Sequence, residues 1–161
     1  MLTLWKTAHI LSAAILLGTG LGIAFFCWFS YRAALRSGEI AVLRSALRWT
    51  VIADACFTAP AVVFQAVSGL VLMSLMGWPL VSPWSAAVWS LFVLTGACWI
   101  PVVVIQIRLS REAERAASIQ ALPARYHRWF QFWFALGIPA FISVILIFYL
   151  MVAKPLAMTG A

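Results

Sequence analysis

Charged residues along this chain are separated by long apolar stretches, and their spacing predicts the fold. No charge occurs from residue 7 to 31, from 55 to 107, or from 129 to 153. At ~1.5 Å of rise per residue, the first and last runs each suit one helix across a hydrocarbon core of ~30 Å. The middle run suits two, divided where Gly77-Trp78-Pro79 and Ser82-Pro83 mark a tight turn. The pattern predicts an all-α bundle of four transmembrane helices near 7–30, 50–76, 84–107 and 129–152, making one integral membrane domain over 1–161.

Composition narrows the class. Hydrophobic residues make up 65% of the chain and charged residues 9%, against about 45–50% and ~25% in soluble domains. That excludes a soluble domain, a disordered chain, a coiled coil and a nucleic-acid-binding module. The net charge of +7 is then a topology signal. Arg32, Arg36, Arg44 and Arg48 join the first two helices, and Arg108, Arg111, Arg115, Arg125 and Arg128 join the last two. Only Lys6 and Lys154 lie on the opposite side. The positive-inside bias puts both connections in the cytoplasm and both termini outside, in a bacterial-type inner membrane. A cleaved signal peptide is not expected, because the first apolar run is too long and basic residues follow it. Trp5, Trp28, Trp49, Trp78, Trp84, Trp129, Tyr31, Tyr126 and Tyr149 fall near predicted helix ends, as an interfacial aromatic belt does. Cys27, Cys56 and Cys98 have neither the spacing nor the number of a disulfide framework.

Polar residues within the spans are costly in lipid and should face the bundle interior. The first helix carries a stripe of His9, Ser12, Leu16, Thr19, Gly20, Ile23 and Cys27. Its other face carries Ala14, Gly18 and Gly22, small residues suited to packing inside the monomer or against a second copy. The second helix carries Asp54, Thr58, Ala61, Gln65, Ser68, Leu72 and Met76. Asp54 is the one acid in any span. It suits either an ion pair with Arg32, Arg125 or Arg128, or a proton relay. The third helix presents Thr95, Trp99 and Gln106, and the fourth Gln131 and Tyr149. Pro101 and Pro139 loosen the backbones of these two helices.

Imidazole chemistry is limited to His9 and His127. Their predicted depths differ by roughly 25 Å, so one chain cannot place both on one iron. His9, under the outer surface, has Met73, Met76, Trp89, Tyr149 and Met151 at its predicted level. A b-type haem with His9 as axial ligand, either alone or with Met73 or Met76 as a second, is chemically reasonable, as is a structural histidine. Cu(I) held by His9 and these methionines is a further possibility. His127, between Tyr126 and Arg128, reads as a surface residue. Cys27, Asp54, Cys56 and His127 make no metal cluster, since Asp54 and Cys56 point about 200° apart on a helix. No CxxC, HExxH or phosphate-loop motif occurs.

The segments Lys6-Thr7-Ala8-His9-Ile10, Asp54-Ala55-Cys56-Phe57-Thr58-Ala59-Pro60, Gly96-Ala97-Cys98-Trp99-Ile100-Pro101, Tyr126-His127-Arg128 and Met151-Val152-Ala153-Lys154-Pro155 resemble the predicted integral membrane proteins of domain-of-unknown-function family 2269. That resemblance covers the full length and implies no particular activity. A more distant one is to HemJ-type membrane protoporphyrinogen oxidases and copper-resistance D relatives, four-helix haem-b binders. Lys6, His9, Ile10, Pro139, Lys154 and Pro155 match their outline, which implies His9 as haem ligand and a role in membrane electron transfer or porphyrin metabolism. The oxidases' lysine and second histidine around helix 3 are replaced here by Ala86-Ala87-Val88-Trp89 and Ala97-Cys98-Trp99. Their Asn-Glu before the helix-4 proline is Gly137-Ile138, and their Tyr-His ending helix 1 is Tyr31-Arg32. The alternative is a cofactor-free accessory or transport subunit.

Overall fold

The structure is a computed structural model and describes residues 1–153. Lys154 and Pro155 lie outside the described residues. Helices α1 (Leu2–Ser37), α2 (Ile40–Ala53), α3 (Ala59–Leu75), α4 (Pro83–Arg115) and α5 (Ala124–Ala153) follow in chain order. A π turn, Asp54–Thr58, joins α2 to α3 without a break, so Ile40–Leu75 is one span. Four helical spans are thus long and apolar enough to cross a bilayer, and no strand occurs among the described residues.

The first and last spans are longer than the uncharged runs that mark them, and each middle span extends past one end of the run the two share. The 36 residues of α1 reach about 54 Å and the 33 of α4 about 50 Å, well beyond a ~30 Å hydrocarbon core. The arginine-bearing connections are therefore mostly helix. Charge ends the favourable transfer into lipid, but arginine is a good helix former and the backbone has no reason to stop. What stops α1 is Gly38, at φ 74, whose amide bonds the Ala34 carbonyl at 2.9 Å. That left-handed cap suits glycine. At the other end of the bundle, Ser82 opens α4: its hydroxyl accepts from the Ser85 amide at 3.1 Å, and Pro83 follows at the first helical position.

Packing is uneven along the bundle. The main hydrophobic core gathers at the arginine-rich end, where Ala34, Leu43, Leu47, Leu109, Ala113, Ile119, Leu122 and Tyr126 lie outside the uncharged runs. Cys27, Tyr31, Ile105, Phe130 and Trp133 continue it into the membrane. Arg44 closes this end by donating to the Ala113 and Ala116 carbonyls at the end of α4, and Arg125 pairs with Glu112 at 3.1 Å. Toward the opposite end, much of what is buried is polar: Ser12, Gln65, Ser68, Ser85 and Ser143. There the Trp84 indole donates to the Leu150 carbonyl at 2.9 Å and ties α4 to α5.

Several expectations are corrected here. Tyr31 and Tyr126 belong to the core, not to an interfacial belt. Gln131 and Tyr149 are exposed instead of facing the interior, because residues near the ends of a span can turn their polar groups toward the headgroups. Ala14, Gly18 and Gly22 are likewise exposed, and a Cβ added at either glycine meets nothing within 4 Å. Packing inside the monomer is therefore not what these small residues do.

Candidate functional site: a buried carboxyl in a polar layer

Polar side chains inside the bundle meet at three levels. At the end remote from the arginines, His9 of α1 packs on α3. Its Nδ1 lies 2.7 Å from the Ser68 hydroxyl. That hydroxyl donates to the Phe64 carbonyl at 2.6 Å. Its proton is thus committed, so Ser68 accepts from His9 Nδ1–H, and a neutral His9 carries its free lone pair on Nε2. Gln65 donates to the His9 carbonyl at 3.0 Å. Gly69 lies against the ring, and a Cβ there would stand 3.6 Å from His9 Cε1, an ordinary contact. Ser12 adds a bond to the Ala61 carbonyl at 3.3 Å.

The second level is built around Asp54, which is 6% exposed. Trp99 Nε1–H donates to Oδ1 at 3.3 Å, and Gln106 Nε2–H donates to Oδ2 at 2.8 Å. Trp133 Nε1–H then donates to Gln106 Oε1 at 3.2 Å. One carboxyl so joins the α2–α3 span to α4 and, through the glutamine, to α5. The chain of bonds has a direction. Indole nitrogen can only donate, so Trp133 turns the Gln106 carbonyl toward itself and the amide N–H toward Asp54. Both groups that meet Asp54 are N–H donors of α4. Among the described residues, the one ion pair is Arg125 with Glu112. The expected salt bridge to Arg32, Arg125 or Arg128 is therefore overturned. The long arginine side chains stay at the water boundary, while Asp54 faces the bundle interior.

The backbone at Asp54 is itself irregular. The Ala59 amide bonds the Asp54 carbonyl, five residues back. Pro60 brings no N–H and its ring presses on the preceding turn, which the wider π turn accommodates. Thr58 ends this turn on the buried stripe, 4% exposed, and its hydroxyl finds no partner among the described residues.

At the third level, at the arginine-rich end, the Tyr31 hydroxyl and His127 Nδ1 are 2.6 Å apart. His127 is half-buried and bonded across the bundle, not a free surface residue. Tyr31 stacks on Phe130, with ring centroids 3.8 Å apart. His9 and His127 stand level with positions 9 and 31 of α1, about 33 Å apart along its axis.

Trp99 and Gln106 meet Asp54, and Gln65 and Ser68 meet His9, much as their faces predicted. Trp133 and the Tyr31–His127 pair were not anticipated. A spacing read helix by helix carries no signal for which indole reaches which amide. Met73 lies about 6 Å further along α3 than Gly69, and Met76 lies past the helix end, 36% exposed. Cys56 is exposed, away from Asp54. No group of three or more His, Cys, Asp or Glu side chains able to hold a metal ion occurs among the described residues.

Comparison with known proteins agrees with this architecture. No curated protein and no solved structure matches the chain. A family model described as "Predicted integral membrane protein (DUF2269)" matches residues 3–155, and the chain belongs to that family.

Proposed function

We propose that this membrane protein works through Asp54, as a proton-exchanging carboxyl in a small transport or energy-coupling subunit. The observation that carries this reading is the placement of an acid among N–H donors inside the bundle, with no basic partner among the described residues. A structural role alone would be served as well by a neutral amide or by leucine, at less cost in lipid. In this reading the arginine-rich end is cytoplasmic and the membrane is a bacterial inner membrane. The exposed face of Ala14, Gly18 and Gly22 is then the surface on which a second copy would pack.

Infrared difference spectroscopy tests the proposal. Acidification of the purified protein in lipid should produce a protonated-carboxyl band that Asp54→Asn lacks. Wild-type vesicles should also take up protons faster than vesicles holding the variant. Equal bands and equal uptake in the two proteins would refute the role of Asp54.

A second reading is favoured by the His9–Ser68 bond. A neutral imidazole held by Nδ1 offers Nε2 to a metal, and so fits an axial ligand of haem b. Met73 or Met76 would supply a sixth ligand only with some rearrangement of α3. Bound haem would supply one-electron chemistry. The chain's part would be to fix the ring through Ser68 and keep water away. Protein purified in mild detergent should then show a Soret band that is lost in His9→Ala and shifted in Ser68→Ala. A colourless wild-type protein that also fails to bind added haemin rejects this reading.

A further inference from the structure

We propose that Arg108, Arg111 and Arg115, with Trp129 beside them, form a binding site for the head group of an anionic phospholipid. The inference is independent of the reading of Asp54 and concerns the exposed surface at the arginine-rich end.

Two contacts define the seam between α4 and α5 at this end. The Arg108 guanidinium lies over the Trp129 ring, 5.7 Å from its centroid, and Glu112 pairs with Arg125 at 3.1 Å. Arg108, Arg111 and Arg115 stand at i, i+3 and i+7 of one helix and therefore share a face. All three are exposed, while Ile105, Leu109 and Ala113 of the same helix are buried. The Arg125–Glu112 bond is the one ion pair among the described residues. The stripe thus carries three positive charges with no acidic partner among them. Like charges at this spacing repel, and an anion from outside the chain offsets that repulsion.

Depth decides which anion fits. Arg108 is the first charge after the uncharged run 55–107, so it marks where α4 leaves the hydrocarbon. Val104 and Ile100 continue the face below it, exposed at 43% and 61%. Cations therefore stand directly above an apolar strip, the same division that a phospholipid has between phosphate and acyl chain. Helical side chains lean toward the N-terminus of their helix. For α4 that direction is back toward the bilayer, which carries Arg111 and Arg115 toward the phosphate level. Guanidinium groups bind phosphate oxygens through paired N–H donors. The Trp129 indole, 38% exposed, lies at the same boundary, where such rings settle among head groups. A zwitterionic head group brings its own cation near the phosphate, and the stripe repels that cation. The site therefore selects a lipid of the phosphatidylglycerol type over phosphatidylcholine, each arginine adding to the attraction.

Thermal unfolding of the full chain in mild detergent tests this. Phosphatidylglycerol, phosphatidylcholine or inorganic phosphate is added at equal phosphate concentration. Phosphatidylglycerol should raise Tm by several degrees and saturate, as follows for a ligand that binds only the folded state. The other two should leave Tm unchanged, and native mass spectrometry should find phosphatidylglycerol retained on the wild-type chain. Combining Arg108→Gln, Arg111→Gln and Arg115→Gln should raise the half-saturating concentration about 100-fold, roughly fivefold for each arginine. Combining Arg32→Gln, Arg36→Gln and Arg48→Gln removes the same charge from exposed positions of α1 and α2. That control should shift half-saturation by less than about threefold at moderate salt, where distant charges are screened. All six side chains are exposed, so both variants should fold. Equal weakening by the two triple variants overturns the proposal, because the attraction then belongs to the whole rim. Equal stabilisation by phosphatidylcholine or by inorganic phosphate overturns it as well, since the site then reads neither the head-group charge nor the acyl chain.

Discussion

Gln106→Leu is expected to cost about 3 kcal/mol or more of bundle stability, measured by denaturing-detergent titration in micelles. The size of the loss is informative. Hydrogen bonds between neutral groups in membrane bundles are worth about 0.6 kcal/mol on average and about 1.7 kcal/mol at most. Removing one partner of a buried charge costs about 3–5 kcal/mol, because the remaining charge is left uncompensated. Gln106 is 2% exposed and serves two helices at once, donating to Asp54 and accepting from Trp133. Leucine fills a similar volume, so cavity formation contributes little. A loss below ~1.7 kcal/mol would mean that the Gln106–Asp54 bond is worth no more than one between neutral groups. Adding Asp54→Leu should restore part of the stability, since apolar groups of suitable shape replace a broken polar pair at little cost.

Phe130→Ala should be comparably damaging, at about 3–5 kcal/mol by the same titration. Phe130 is 1% exposed, stacks on Tyr31 with centroids 3.8 Å apart, and also meets Trp28 and Trp133 at 6.1 and 5.7 Å. Removing it opens a cavity between α1 and α5 and loosens the support of the Tyr31–His127 bond. Phe132→Ala is the control: Phe132 is 62% exposed, and its loss should stay within about 0.5 kcal/mol. Equal effects at the two positions would show that the arginine-rich end is not the packed core described here.

The four spans were legible in the sequence because lipid forbids charge, and the uncharged runs record that prohibition directly. The buried stripe Asp54, Thr58, Ala61, Gln65 and Ser68 was legible for a related reason, since polar residues in a span must share the inward face. The helix ends were not. Arg32 and Arg36 mark where α1 leaves the hydrocarbon, while Gly38 marks where it ends, six residues beyond Arg32. The segment near 50–76 reads as one plain helix, and only the structure shows the π turn and its alignment with Asp54. Trp133 was hidden among the many tryptophans of a membrane protein. Gln131 and Tyr149 misled because polarity alone does not distinguish the bundle interior from the headgroup zone.

The position of the hydrophobic core has a consequence for how the molecule is held together. Apolar association gains free energy only against water, and most of the tightly packed apolar residues sit at the level where water and headgroups reach the helices. Deeper in, lipid tails offer side chains the same welcome as a neighbouring helix, so directional bonds such as those at Asp54 and Ser68 must set the alignment. The protein is in effect clamped at one rim and keyed in the middle. Solutes such as urea act on the clamp, whereas bilayer thickness and acyl composition act on the keys, so the two halves answer to different solvents.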